Sequence, residues 1–312
     1  MKNKKIVVTG GAGFIGSNLA RTLASDNKTI VIDNLSTGYL ENIQDLIDNH
    51  KIEFIKGSIT DLDFLFEVFN NVDYVFHQAA IPSVPRSIND PIRTNHANVD
   101  GTLNVLVAAK DNDVKKIIFA SSSSVYGDTP SLPKKEDMMP CPLSPYAVSK
   151  LTAENYCQVF TNVYNLSTVS LRYFNVYGPR QDPTGDYAAV IPKFITNITN
   201  DKSPVIFGDG EQSRDFTYID DVVQANIKAA ESTTCGVFNI AGGKRITINF
   251  LAELIMEIIG KNLEIVYDNP RPGDVKHSLA DISGAIKHFN YKPEFDIKNG
   301  LEKTVNWFKN EN

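Results

Sequence analysis

Three stretches of this chain combine residue types at spacings that chemistry can use. In the first, Gly10, Gly13 and Gly16 follow the apolar run Ile6-Val7-Val8-Thr9 and precede an amphipathic segment with Leu19 and Leu23; Gly11, Gly13 and Gly16 also fit the tighter pattern G-x-G-x-x-G. Such a turn needs a residue with positive φ, brings backbone close to a pyrophosphate and lets the following helix pack on the strand. The helix start adds free N–H donors and a positive dipole end. Asp33 lies twenty residues beyond Gly13, after a second apolar run, Thr29-Ile30-Val31-Ile32. It is placed to bond a ribose hydroxyl and to repel a 2′-phosphate. The second stretch, Ser121-Ser122-Ser123-Ser124, puts four hydroxyls at the end of an apolar run. In the third, Tyr146 and Lys150 are four apart, on one helical face about a turn from each other. Taken singly, the serines also suit a solvated strand end, and the Tyr/Lys pair suits a helix surface. Following a dinucleotide-type turn, they read as one site.

The elements that must position these residues alternate. Apolar runs at 6–9, 29–32, 52–55, 73–76, 115–119 and 168–172 are short, β-branched and continuous, as strands buried on both faces are. Amphipathic stretches near 14–25, 61–70, 91–111 and 146–165 lie between them. This rhythm predicts an α/β fold, a doubly wound parallel sheet with right-handed crossovers and ligands beyond the carboxyl ends of its strands. After Phe76, the stretch from His77 to Arg86 is rich in small residues that let backbone pass a flat cofactor, and Asn95 and Asn98 follow with amides able to reach across. Pro130, Pro133, Pro140, Pro142 and Pro145 mark an ordered loop. Beyond Arg172 the pattern changes to frequent Pro, Gly and charge, with shorter helices near 187–198, 219–231, 247–259 and 296–309. The expected division is a dinucleotide-binding domain, 1–174, and a mainly substrate-binding lobe, 175–312, some segments of which return to the first. Arg180, Arg214 and Arg271 are candidate anion ligands there.

The totals bound the function. A chain of 312 residues, 42% hydrophobic, can bury one large core or two coupled ones. The net charge of −6 argues against nucleic acid or an anionic membrane surface as partner. No apolar run approaches the ~20 residues of a membrane span. The basic start (Lys2, Lys4, Lys5) meets glycines after three apolar residues, too soon for a signal sequence, so a cytoplasmic protein is expected. Cys141, Cys157 and Cys235 form no metal template and no disulfide framework, and are expected to be packed thiols.

Glycine turn, hydroxyl strand end and Tyr-x-x-x-Lys together resemble the short-chain dehydrogenase/reductase superfamily. The stretch Arg172-Tyr173-Phe174-Asn175 and the length resemble its extended branch, which handles nucleotide-activated sugars. Ser83-Val84-Pro85-Arg86-Ser87, the segment from Arg180 to Pro192, and Gly208-Asp209-Gly210 with Ser213-Arg214-Asp215-Phe216 are similar to UDP-sugar 4-epimerases, particularly those acting on UDP-N-acetylglucosamine. The resemblance implies a Rossmann-type domain with a smaller C-terminal α/β lobe. It implies a catalytic set of Ser122, Tyr146 and Lys150. It implies NAD held by Gly10, Gly13, Phe14, Ile15, Gly16, Asp33, Asn34, Ser36, Thr37, Gly38, Ser58, Ile59, Gln78, Ala79, Ala80, Asn98, Tyr146, Lys150 and Tyr173. Ser58 departs from the aspartate usual at the adenine contact. The UDP-sugar would be held by Ser83, Arg86, Ser122, Ser123, Ser124, Tyr146, Asn175, Ala189, Val190, Ile206, Arg214, Arg271, Asp274 and Ser278, with arginines on the phosphates. In this family one position gates the N-acetyl group, and a tyrosine there excludes it; Ser278 falls at that position and leaves room. Homodimers built from two helices per subunit are usual in this branch, and the stretches 91–111 and 146–165 are the candidates.

The expected reaction is 4-epimerisation of a UDP-hexose, foremost UDP-N-acetylglucosamine/UDP-N-acetylgalactosamine and also UDP-glucose/UDP-galactose. It would proceed through a transient 4-keto sugar that takes its hydride back on the other face. Tyr146 is the base, provided that Lys150 and the cationic cofactor favour its phenolate below the free value of about 10. Rivals on the same frame are a 4,6-dehydratase, which carries Asp and Glu where this chain has Ser123 and Ser124, and a UDP-glucuronate 4-epimerase or decarboxylase, for which Arg86 would grip the carboxylate. A non-catalytic NAD-binding sensor is opposed by the intact Ser122, Tyr146 and Lys150.

Overall fold

The computed structural model describes residues 1–184, 188–270 and 275–310. Its first half runs β1 (Lys5–Thr9), α1 (Phe14–Leu23), β2 (Lys28–Asp33), α2 (Gln44–Asp48), β3 (Ile52–Lys56), α3 (Leu62–Val68) and β4 (Tyr74–His77). Helices α4 (Val84–Asn89), α5 (Pro91–Asn95) and α6 (Gly101–Asp111) lead to β5 (Lys116–Ser122), α7 (Pro145–Tyr164) and β6 (Ser167–Tyr173). The second half runs β7 (Val176–Tyr177), α8 (Val190–Thr199), β8 (Val205–Phe207), β9 (Ser213–Asp215), β10 (Thr217–Tyr218), α9 (Ile219–Glu231) and β11 (Gly236–Ile240). It ends with β12 (Arg245–Thr247), α10 (Ile248–Ile259), β13 (Val266–Asp268), α11 (Ser283–Phe289) and α12 (Ile297–Asn310).

Seven parallel strands form one sheet in the order β11-β6-β5-β4-β1-β2-β3. The chain leaves β1 toward β2 and returns on its other side as β4, so a crevice opens at the carboxyl ends of β1 and β4. Alternate residues of β1 explain why its sequence is continuously apolar. Ile6 and Val8 face the core under α1 and α9, and Val7 faces the core under α3, α6 and α7. The seventh strand, β11, lies outside the six runs expected. Asn239 interrupts its apolar pattern yet is fully buried, because its side chain bonds Tyr126, Lys134 and Asp281.

Three two-stranded sheets, β7–β10, β9–β12 and β8–β13, form in the chain beyond β6. The helix expected over 91–111 is one rod with a widened turn at His96–Asp100 between α5 and α6. Helix α7 starts where Ser144 accepts a bond from the Ala147 N–H at 3.1 Å and Pro145 takes the first helical position, and it ends at Asn165 in the left-handed conformation. Cys157 is buried as expected; Cys141 and Cys235 are exposed, so only one of the three thiols is a packing residue.

Candidate active site

The glycine turn sits at the crevice. Gly10 has φ +69°, and a Cβ there would lie 2.6 Å from the Ala79 backbone. A Cβ at Gly16 would lie 2.1 Å from the Gly10 carbonyl oxygen, so strand and helix touch backbone to backbone. Gly11 instead packs against Val31, which selects Gly10, Gly13 and Gly16 as the working pattern. Gly13 caps α1 with no side chain, leaving the first-turn amides to an anionic ligand. Asp33 ends β2 with Oδ2 accepting from the Ala12 N–H at 3.0 Å and Oδ1 from the Leu35 N–H at 2.8 Å. Burial raises its pKa, and those amides hold it down. Its remaining lone pairs face a cavity of about 190 Å³ lined also by Gly10, Asn34, Ser36, Thr37, Ser58, Ile59, Ala79 and Ala80. These residues fit a dinucleotide with an unphosphorylated ribose. Arg93 and His96 line the same cavity and went unforeseen, since exposed helix residues carry no local signal.

Behind the crevice, hydrogen bonds lock the strand ends. Gln78 Nε2 bonds Tyr173 Oη at 3.2 Å, and Asn226 Nδ2 donates to the same oxygen at 2.8 Å. Burial pushes the Tyr173 phenol up to about 12. His77 bonds Thr9 Oγ1 at 2.7 Å and Thr102 Oγ1 at 2.9 Å. Burial drives the imidazole down to about 3, so it is a neutral strut. Asn98 stands in the widened turn. Its Oδ1 accepts from the Ile81 N–H at 2.8 Å, and its Nδ2 donates to Ser149 Oγ at 3.0 Å; Ser149 Oγ donates to the Tyr146 carbonyl at 2.8 Å. Asn98 thus ties the loop after β4 to the helix of the Tyr/Lys pair, while Asn95 is exposed. Asn226 was missed because a lone Asn on an amphipathic helix looks like surface.

Ser122 is the last residue of β5, paired with Tyr173 of β6. Its Oγ accepts from Ser124 Oγ at 2.9 Å and from the Ser124 N–H at 3.2 Å. Lys150 is buried, with Nζ donating to the Ala120 carbonyl at 2.8 Å and lying 6.0 Å from the centre of the Tyr146 ring. Burial lowers the ammonium to about 8. Burial raises the Tyr146 pKa, and the Ser122 hydroxyl lowers it. The Lys150 ammonium beside the ring, and the positive charge of a bound oxidised dinucleotide, would both favour the phenolate.

A cavity of about 280 Å³ gathers Asn175, Ala189, Val190, Ile206 and Arg214 from four separate stretches of the chain. Asn175 Nδ2 donates to the Asp215 carbonyl at 2.9 Å, and Arg214 Nη1 to the Lys276 carbonyl at 3.2 Å. Arg180 is engaged elsewhere, bonding Asn18 Oδ1 at 3.1 Å. Ser83 caps α4 at φ +106°, a strained conformation for a serine beside a cleft. Arg86 lines a groove with Ser36, Thr37 and Arg93, on the dinucleotide side and away from the cavity of Arg214. Ser278 donates its N–H to the Ser213 carbonyl at 2.9 Å, one residue from Arg214. Arg271 and Asp274, expected substrate ligands, lie outside the described residues, as does Tyr187. Among the described residues no helix is long and apolar enough to cross a membrane.

The fold and site define a nucleotide-dependent α/β enzyme, and comparison with known proteins agrees. Residues 6–241 match the NAD dependent epimerase/dehydratase family. The chain belongs to this family, and NAD is its cofactor. It is similar to a solved UDP-N-acetylglucosamine 4-epimerase of Methanobrevibacter ruminantium, bound to UDP-N-acetylmuramic acid, at 48% identity and TM-score 0.97 over 100% of both chains. It is 43% identical over 310 residues, 98% of this chain and 99% of the other, to a putative UDP-glucose 4-epimerase of Methanocaldococcus jannaschii. A Bacillus cereus UDP-glucuronic acid 4-epimerase solved with NAD is 36% identical, with TM-score 0.92 over 99% of this chain and 100% of that one.

Proposed function

We propose that this chain, an NAD-dependent UDP-sugar 4-epimerase and hence an isomerase, interconverts UDP-N-acetylglucosamine and UDP-N-acetylgalactosamine, and turns over UDP-glucose as a second substrate. The observation that carries this reading is the convergence of Asn175, Ala189, Val190, Ile206 and Arg214 on one cavity. The small Ser278 and the 48% identical relative support the N-acetylated sugar. Residues from 175 onward supply mainly the substrate side.

The carbon-bound hydrogen of a secondary alcohol is not acidic, so its configuration cannot be inverted by proton transfer alone. Bound NAD supplies a two-electron acceptor that returns the hydride, and a positive ring. The protein supplies the rest. Tyr146 takes the hydroxyl proton and later gives it back; Ser122 orients the hydroxyl and stabilises the phenolate. Lys150 anchors the turn of α7 that holds Tyr146 by its bond to Ala120. Arg214 grips the pyrophosphate, so affinity rests on the UDP while the flat ketone turns over. Ser123 and Ser124 are hydroxyls where a dehydratase needs an acid and a base.

The protein is proposed to work as a homodimer. Ile88 and Ile92 on α4 and α5, and Val148, Val159 and Val163 on α7, form exposed apolar faces. Product analysis on a panel of UDP-sugars, uronates included, tests the substrate. Epimers should form without net NADH, and Ser278→Tyr should abolish turnover of N-acetylated sugars while sparing UDP-glucose. Equal loss on both would refute the gate, and turnover confined to uronates would overturn the substrate.

A further inference from the structure

Asp215 closes β9 one residue after Arg214 and is fully buried. What its carboxylate faces is backbone. Oδ1 accepts from the Gly242 and Gly243 N–H groups at 3.0 and 3.1 Å, and Oδ2 from the Ala280 N–H at 3.1 Å. The two glycines follow β11, the last strand of the main sheet, whereas Ala280 belongs to the segment that carries Ser278. That segment runs alongside β9. Ser213 N–H donates to the Lys276 carbonyl at 3.0 Å, and Ser213 Oγ bonds His277 Nδ1 at 2.9 Å. Its other edge is held by Lys134, through bonds with Leu279 and Asp281 at 2.8 Å each. Asn239 Nδ2 donates to the Asp281 carbonyl at 3.1 Å and accepts on Oδ1 from Tyr126, two residues after Ser124.

One side chain therefore joins three pieces: the sheet end, the strand of Arg214 and the segment of Ser278. Packing does not require a carboxylate here, and burial makes one costly, raising its pKa to about 7. Accepting three N–H groups from two directions does require one. An asparagine has a single acceptor oxygen and would turn its NH₂ against an N–H on one side. We propose that Asp215 is a positioning residue that sets the register between Arg214 and the Ser278 segment, and thereby the spacing between phosphate grip and acetamide pocket. This rests on the roles given to Arg214 and Ser278 above.

The test uses the full chain with NAD bound and three proteins: wild type, Asp215→Asn, and Arg214→Ala as control. The readouts are KM and kcat for UDP-N-acetylglucosamine and UDP-glucose, calorimetric affinity for UDP, and NAD content. Asp215→Asn should raise KM by about tenfold or more, keep kcat within about threefold, weaken UDP and shrink the preference between the two sugars, with NAD content unchanged. Unmoved KM and preference in a folded variant would overturn the proposal. So would a fall in kcat and NAD content with KM constant, which marks a residue of the fold alone. If Arg214→Ala leaves UDP affinity intact, the reading of the cavity fails; if it weakens UDP and Asp215→Asn does not, only the positioning role fails. Should Asp215→Asn not fold, hydrogen exchange of the wild type decides. The Gly242, Gly243 and Ala280 amides should gain protection together when UDP binds, and independent behaviour of Ala280 refutes the coupling.

Discussion

At the scale of the residue, the proposed chemistry depends on Tyr146, a phenol that burial alone makes a poor base. Burial raises its pKa and the Ser122 hydroxyl lowers it, while the Lys150 ammonium lies 6.0 Å from the Tyr146 ring and donates to the Ala120 carbonyl. Bound NAD would add its positive charge to that of Lys150 in favouring the phenolate. Tyr146→Phe removes the oxygen but leaves the Ser149 bond to the Tyr146 carbonyl, which is backbone. Turnover should fall by ~10²–10⁴-fold while NAD remains bound, as read by single-turnover kinetics and cofactor absorbance. Near-normal turnover would remove Tyr146 from the role of base.

At the scale of the element, the long helix α7 carries Tyr146, Lys150 and Glu154 at intervals of four, a polar stripe on its sheet-facing side. The third member is structural. Glu154 accepts Ser121 Oγ at 2.8 Å and both Arg172 Nε at 3.0 Å and Arg172 Nη2 at 2.5 Å, all buried. Arg172 also stacks over Tyr126 at 4.7 Å. The pair therefore fastens α7 to β5 and β6 directly beneath Ser122. Replacing such a pair wholesale is often neutral, but removing one partner strands a buried charge. Glu154→Gln should cost ~3–5 kcal/mol of unfolding free energy in denaturant titration, a loss larger than any surface change produces. An unchanged midpoint would show that Arg172 finds another partner.

At the scale of the molecule, the two halves share one apolar core and are tied by hydrogen bonds as well. Tyr39 Oη donates to Asp182 at 2.8 Å, and Asn18 Nδ2 donates to the Pro179 carbonyl at 3.1 Å. The outer faces of α4, α5 and α7 stay apolar: Ile92 is 82% exposed and Val163 63%. In the proposed dimer those faces are covered, which would hold the helix of the Tyr/Lys pair from outside as Asn98 and Glu154 hold it from within. Val163→Glu should leave the protomer's stability within ~0.5 kcal/mol and shift sedimentation from dimer to monomer. A wild type that sediments as a monomer would discard the dimer.

Local pattern and tertiary placement contributed different things. Gly10, Gly13, Gly16 and Asp33 were legible because a dinucleotide turn is a local object: its demands on φ, on close approach and on helix capping fall within some twenty-five neighbouring residues. Five of the six expected strands were legible for a related reason, since burial on both faces leaves a continuous apolar run; the run 52–55 forms β3, the edge strand, which is largely unburied and has Glu53 exposed. Strand β11 was hidden because a buried Asn239, satisfied by Tyr126, Lys134 and Asp281, imitates a loop residue. The cavity around Arg214, the single carboxylate of Asp215 that joins three segments, and the direction of the Lys150 ammonium were decided only by the folded chain. Each depends on which distant backbone donors and acceptors arrive at one point, and hydrogen-bond partners separated by tens to hundreds of residues leave no periodicity to read.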